Sequence, residues 1–361
     1  MISPLFRFVI GGSLIALVLP SSSTSAQSMG KRTNIVMQGN STTIEILGLR
    51  QWTIAMLNDS LRKYQGHDLT TQGAHGCAVT LRHDLRFPDA AVMGMESKYG
   101  GEYWLITLVE PQDSNRVRPR RLANDTTGGR PEWAEGRRLL RENSELFGLI
   151  SRDVTGEALR KSPNSSRESP AAEQEPANDS GQAPILRYQR AVRRWLVARQ
   201  NRDDFGIALE ILRNSPNQYD RQIALIVILP FLDDDRTWTA LSQTLVESEG
   251  PIQRMGFSLF SSLLASGRRP KDMNAVLPAL HAILDGASQF LMPRVMTLLL
   301  GMQLDTAHAA PLLKNGGQML LAYAGASHRG ARGPALELLA TLSPRNYGRD
   351  VDRWKRWVES L

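Results

Sequence analysis

Cysteine is almost absent: Cys77 is the single thiol in 361 residues. One thiol excludes an intramolecular disulfide, so stability has to come from core burial. It also excludes lipid attachment after export, which uses a cysteine at the cleavage site, far from Cys77. Familiar catalytic signatures are missing as well. The chain has no HExxH, no GxSxG and no Gly-Lys-Ser/Thr phosphate loop. The apolar run at the start falls short of the roughly 20 residues needed to span a bilayer. Long strand-like alternation is missing beyond Pro184.

What is present describes a folded, exported chain. Hydrophobic residues make up 42% and charged residues 22%, the balance of globular protein rather than of disorder. The length suits two domains with separate cores. Arg7, the run Val9 to Leu19, Pro20 and the small residues Ser21 to Ala26 follow the pattern of a cleaved signal peptide, residues 1–26, with the cut after Ala26. A periplasmic or secreted location follows from that leader. The net charge of +7 favours acidic surfaces such as lipid headgroups, envelope polymers or acidic proteins. Nucleic acid is not expected as a partner without a nucleic-acid module.

Residues 27–42 are polar and read as disordered. Thr43 to Leu49 is β-branched and apolar, a strand. Thr53 can cap a helix running to about Tyr64, with Gly66 as its stop. A second helix is expected from Gln72 to Leu85, its buried stripe being Ala74, Cys77, Ala78, Leu81 and Leu85. Ala90 to Ser97 and Tyr103 to Val109 read as strands joined by the turn residues Lys98 to Gly101, with Trp104, Ile106 and Leu108 on one face. The order is β-α-α-β-β. These pieces, above all Ile44 to Leu47, the helix at Thr53, Leu85 to Val92 and Leu105 to Pro111, resemble a POTRA domain over residues 43–111. Phe87-Pro88 stands where the family usually carries Gly-Tyr, the unit occurs once, and no β-barrel follows. A ferredoxin-like or unrelated α+β fold satisfies the same order.

Residues 112–155 read as an arginine-bearing loop (Arg116, Arg118, Arg120, Arg121) followed by a helix from Glu132 to Ser151. Residues 156–184 are dominated by Ser, Pro, Ala, Glu, Asn and Asp and read as a flexible linker. From 185 to 361 the chain reads as successive helices at 185–200, 203–213, 218–232, 236–247, 251–266, 273–285, 288–302, 309–325, 331–342 and 350–360, pairing about every 35 to 40 residues. Tyr219 to Leu225, Gln253 to Phe260, Pro334 to Leu339 and the closing Asn346 to Trp357 resemble HEAT repeats over about residues 202–361. That resemblance implies an all-α solenoid of helical hairpins that binds proteins on its surface. The whole chain is thus expected to be a small α+β domain followed by a helical-hairpin solenoid.

Each candidate for chemistry has a structural reading beside it. On a helix, His75 and Cys77 stand about 200° apart and His75 and His83 about 12 Å apart, so no pair grips one metal. Cys77 reads as a small core residue. Asp233 to Asp235 precede a helix and read as caps, and His281, His308 and His328 are scattered. No catalytic residue, cofactor or metal is expected. Candidate partner-binding residues are Met93 and Met95, on a strand whose open edge can accept a peptide strand, and Arg187, Arg190 and Arg194, one basic stripe on a helix. Trp195 is expected to pack. The resulting expectation is a monomeric, exported, non-enzymatic scaffold for protein partners. Alternatives are a binder of envelope polymer or membrane surface, and an enzyme-associated, lyase-related HEAT-like domain.

Overall fold

The computed structural model describes residues 35–38, 42–69, 76–96, 101–117, 120, 128–160, 183–248, 250–287, 292–314 and 317–361. The leader at 1–26, His75, most of the turn at 98–101, Arg118, Arg121 and most of the linker lie outside them.

The first described strand is β1, Ile35–Gln38. It lies inside the stretch expected to be disordered and pairs antiparallel with β2, Thr42–Leu47. Next come α1, Ile54–Gln65, and α2, Cys77–His83. Thr53 caps α1 by accepting from the Met56 amide at 3.2 Å, and Gly66 ends it at φ 79°, a left-handed backbone that glycine adopts without penalty. The hairpin β3, Asp89–Glu96, and β4, Glu102–Val109, completes a four-stranded sheet of order β1-β2-β4-β3. β2 and β4 run parallel, so the sheet is mixed.

Alternation along the strands gives the sheet two buried faces. Ile44, Ile46, Ala90, Ile106 and Leu108 pack against Leu57, Leu61, Cys77 and Leu81 of α1 and α2. Leu47, Tyr103 and Leu105 point the other way and join the core of the helical region. A strand buried on both faces reads as a nearly continuous apolar run, as Glu102–Val109 does.

Helices α3, Ala134–Glu142, and α4, Ser144–Arg160, replace the single helix expected from 132 to 151. The break falls at Asn143, whose carboxamide oxygen accepts from the Leu146 amide at 2.9 Å. Asparagine favours such a cap over continuing a helix. α4 runs on to Arg160 and α5, Ala183–Ala198, begins before Pro184, so both ends of the expected linker are helical. α3 packs on α4, on α5 and on α7, Gln218–Val227. The helical region therefore includes helices on the N-terminal side of residues 161–182.

The remaining helices are α6, Arg202–Asn214; α8, Asp235–Leu245; α9, Pro251–Ala265; α10, Leu277–Ala282; α11, Met292–Gly301; α12, Ala309–Leu313; α13, Gln318–Ala324; α14, Arg329–Leu342; and α15, Val351–Glu359. The helix expected at 309–325 is thus two, separated before Gly317, whose φ of 75° is not helical. α6 packs on α7 and α8 on α9. Helices two apart also touch: α6, α8, α10 and α12 in one run, and α7, α9 and α11 in another that closes on α14. Among the described residues, no helix is long and apolar enough to cross a membrane.

Candidate functional site

β3 is the last strand of the sheet and pairs with β4 along its whole length, Met93 opposite Leu105 and Met95 opposite Tyr103. Both methionines are half-buried and share the face turned toward the helical region, where Met95 packs on its core. The other face carries Gly94, over which the Trp104 ring lies 3.2 Å from where a Cβ would stand. Among the described residues no strand pairs the outer edge of β3.

Arg187, Arg190 and Arg194 are exposed along α5. Trp195 is buried behind them, edge-on to Trp133 with ring centroids 6.3 Å apart. Cys77 is fully buried in the sheet core, and burial pushes its thiol up to about 12. His83 is exposed. Asp234 caps α8 by accepting from the Arg236 amide at 3.1 Å, and the Arg236 guanidinium holds its carboxyl below the usual range. His281 contacts the Leu312 carbonyl at 2.9 Å, while His308 and His328 serve as caps near their own helix starts. Among the described residues, no group of three His, Cys, Asp or Glu is placed to hold a metal.

The structure assembles polar clusters elsewhere. The first joins sheet to helices. Glu45 of β2 is 1% exposed. Its carboxylate accepts from the Ser327 amide at 2.9 Å, just before α14, and from the Tyr103 hydroxyl. The Tyr103 ring lies 4.5 Å from that of His328. Burial first, and then the hydrogen bond to Glu45, push the Tyr103 phenol above its ordinary range. The Tyr103 hydroxyl donates to Glu45, and Glu45 in turn joins the sheet to the start of α14. A carboxylate beside a helix start is also favoured by the helix dipole.

The second cluster is built on Arg116, Arg120, Arg130 and Arg137. Arg116 meets Asp285 at 3.2 Å. Arg120 exchanges backbone hydrogen bonds with the turn after α8, its amide donating to Val246 at 2.7 Å and its carbonyl accepting from Ser248 at 3.2 Å. Its guanidinium donates to the carbonyls of Leu212 and Arg213, at 2.7 and 2.6 Å, at the end of α6. It also lies 3.8 Å from Glu247, a carboxylate already paired with buried Arg221 at 2.6 Å. Burial raises the Glu247 carboxyl and lowers the Arg120 guanidinium, and the attraction between them opposes both shifts. Farther along, Arg130 reaches Glu210 at 2.6 Å, and Arg137 reaches Asp220 at 2.7 Å.

Sequence reasoning placed Cys77, Trp195 and the Asp234 cap, all local matters, but missed both clusters. Glu45 carried a readable signal, an acid alternating with Ile44 and Ile46 in an otherwise apolar strand. Asp220 lies in the HEAT-like stretch Tyr219 to Leu225, whereas Glu247 and Asp285 carried no signal, since their partners lie far away in the chain. Comparison with known proteins matches no family model, no curated protein and no solved structure, so the sites are read from their own geometry.

Proposed function

We propose that this chain is an exported, non-enzymatic scaffold that binds other proteins along a HEAT-like stack of helix pairs. The observation that carries the reading is the contact of helices two apart, α6 with α8 and α8 with α10, and α7 with α9 and α9 with α11. Such nearest-neighbour packing is how a solenoid buries its core while leaving an extended surface. In this reading the sheet is a POTRA-like unit, supported by a first long strand parallel to the last, and the free edge of β3 is a second place for an extended peptide. The export step rests on residues 1–26 of the sequence.

The test places a photo-reactive residue at Ser258 or Thr297, both exposed on the α9 and α11 row, in the full chain exposed to envelope extract. Saturable adducts with discrete polypeptides support the scaffold. Turnover of a substrate by the purified chain, or an absence of protein adducts at both positions, overturns it. The exposed row of Arg187, Arg190 and Arg194 favours a second reading, contact with a polyanion or an anionic membrane surface. Capture that disappears as salt is raised separates that reading from apolar protein binding.

A further inference from the structure

We infer that the open cleft beside α15, walled by Tyr347 and Trp357 and bordered by Arg356, binds an acidic saccharide: a sugar ring carrying a carboxylate. This is a small-ligand site, separate from the helix rows and the strand edge assigned above to protein partners. Its construction starts in the turn before the helix. The Asn346 side-chain oxygen accepts from the Gly348 amide at 2.8 Å, and Gly348 takes φ 59°, a left-handed backbone that glycine adopts readily. Asp350 then caps α15, accepting from the Arg353 amide at 3.0 Å. Trp354 ties the turn to the helix: it is fully buried, and its indole donates to the Gly348 carbonyl at 3.0 Å. The rings of Tyr347 and Trp357 both stand edge-on to Trp354, with centroids 4.9 and 5.8 Å away. Both are half-buried, so each is fixed by packing while keeping part of its surface in water.

The cleft holds about 390 Å³, opens widely to solvent and is lined by Tyr347, Arg353, Arg356, Trp357 and Ser360. That volume lies in the range of small-ligand sites, about 300–1,000 Å³. Charge selects the sign of the ligand. Between Arg345 and Ser360 five basic side chains stand against three acids. Arg353 is paired with Asp350 at 3.1 Å and Lys355 with Glu359 at 3.8 Å, but among the described residues no carboxylate pairs with exposed Arg356. Such a guanidinium can take a carboxylate in its planar fork. Shape selects the ring. Tyr and Trp offer broad, rigid faces at little entropic cost, and the apolar C–H face of a sugar packs on such a face. Because the cleft is open, the outer face of the ligand stays in water. A sugar keeps its hydroxyls hydrated there, whereas an aromatic ring or an acyl chain would leave apolar surface exposed.

The experiment titrates the full chain with a uronic-acid tetrasaccharide and with the same tetrasaccharide reduced to its neutral form, followed by calorimetry and tryptophan fluorescence. The acidic form is expected to bind saturably and to change the fluorescence, and the neutral form to bind at least about tenfold more weakly. Arg356→Gln, at an exposed position, is expected to lose about tenfold in affinity for the acidic form. Tyr347→Ala is expected to lose a similar factor while keeping the preference for acid over neutral sugar. Arg345→Gln, an exposed arginine outside the lining of the cleft, is expected to change nothing. Absence of saturable binding, equal binding of the neutral sugar, or equal losses in Arg345→Gln and Arg356→Gln overturn the inference. Tighter binding of an oligoglutamate peptide, or of vesicles containing anionic lipid, overturns it as well. Should Tyr347→Ala not fold, the two arginine variants decide alone. Photo-adducts at Ser258 or Thr297 test the scaffold separately, so the two readings stand or fall independently.

Discussion

Glu45 shows what a single side chain does when alternation points it into a core. Ile44 and Ile46 face α1 and α2, so Glu45 faces the helical region, where its desolvation is offset by the Ser327 amide and the Tyr103 hydroxyl. Glu45→Ala leaves both donors without an acceptor and is expected to cost about 1–3 kcal/mol. The measurement is a lower urea midpoint at unchanged slope; an unchanged midpoint would show that the joint contributes nothing. Cys77 makes a different prediction. Its thiol is raised by burial to about 12 from an ordinary 9.0, so the fold favours the neutral form. That contribution is complete below the unfolded value and is lost as pH rises through the folded one. Stability should fall steadily above about pH 9, and the native thiol should resist a thiol reagent near pH 8 until the chain unfolds. Rapid native labelling would contradict the buried placement.

At the scale of the element, close approach decides which residues the helices tolerate. Gly256 lies inside α9, where alanine would ordinarily stabilise by about 0.5–1 kcal/mol. Here an added Cβ would stand 2.0 Å from the Thr244 hydroxyl oxygen of α8. That hydroxyl is itself buried and donates to the Leu241 carbonyl at 2.7 Å. Gly256→Ala is therefore expected to destabilise, by about 1–3 kcal/mol, with part of the loss recovered in the double variant with Thr244→Ala. Calorimetry of the single and double variants gives the sign directly, and stabilisation by the single change would refute the tight α8–α9 contact. The Asn143 cap makes a related point: one polar side chain splits what hydrophobic spacing alone reads as one helix.

For the whole molecule, the question is whether sheet and helices unfold together. Leu105 belongs to the core shared with the helical region, whereas Leu57 belongs to the core between the sheet and α1 and α2. Leu105→Ala is expected to cost about 2–5 kcal/mol. The loss should appear equally in far-UV circular dichroism and in the fluorescence of tryptophans such as Trp238 and Trp354, buried deep in the helices. Coincident transitions for both signals mark one cooperative unit. Separate transitions, with only the sheet signal moved by Leu105→Ala, would show that the shared core does not couple them.

What the sequence determined by itself was local. The caps at Thr53 and Asp234, the stop at Gly66, the strands of the hairpin and the succession of helices all follow from residues within a few positions of one another. What only the tertiary structure decided was long-range: the cover over the second face of the sheet, the membership of α3 and α4 in the helical region, and the pairing of arginines with distant acids. Glu45 and Ser327 are 282 positions apart, and Arg116 and Asp285 are 169 apart. Spacing within one segment says which face is apolar, but it cannot say which distant segment covers it. That choice belongs to the packing of the whole chain, because burial rewards any complementary surface and only the assembled fold selects one.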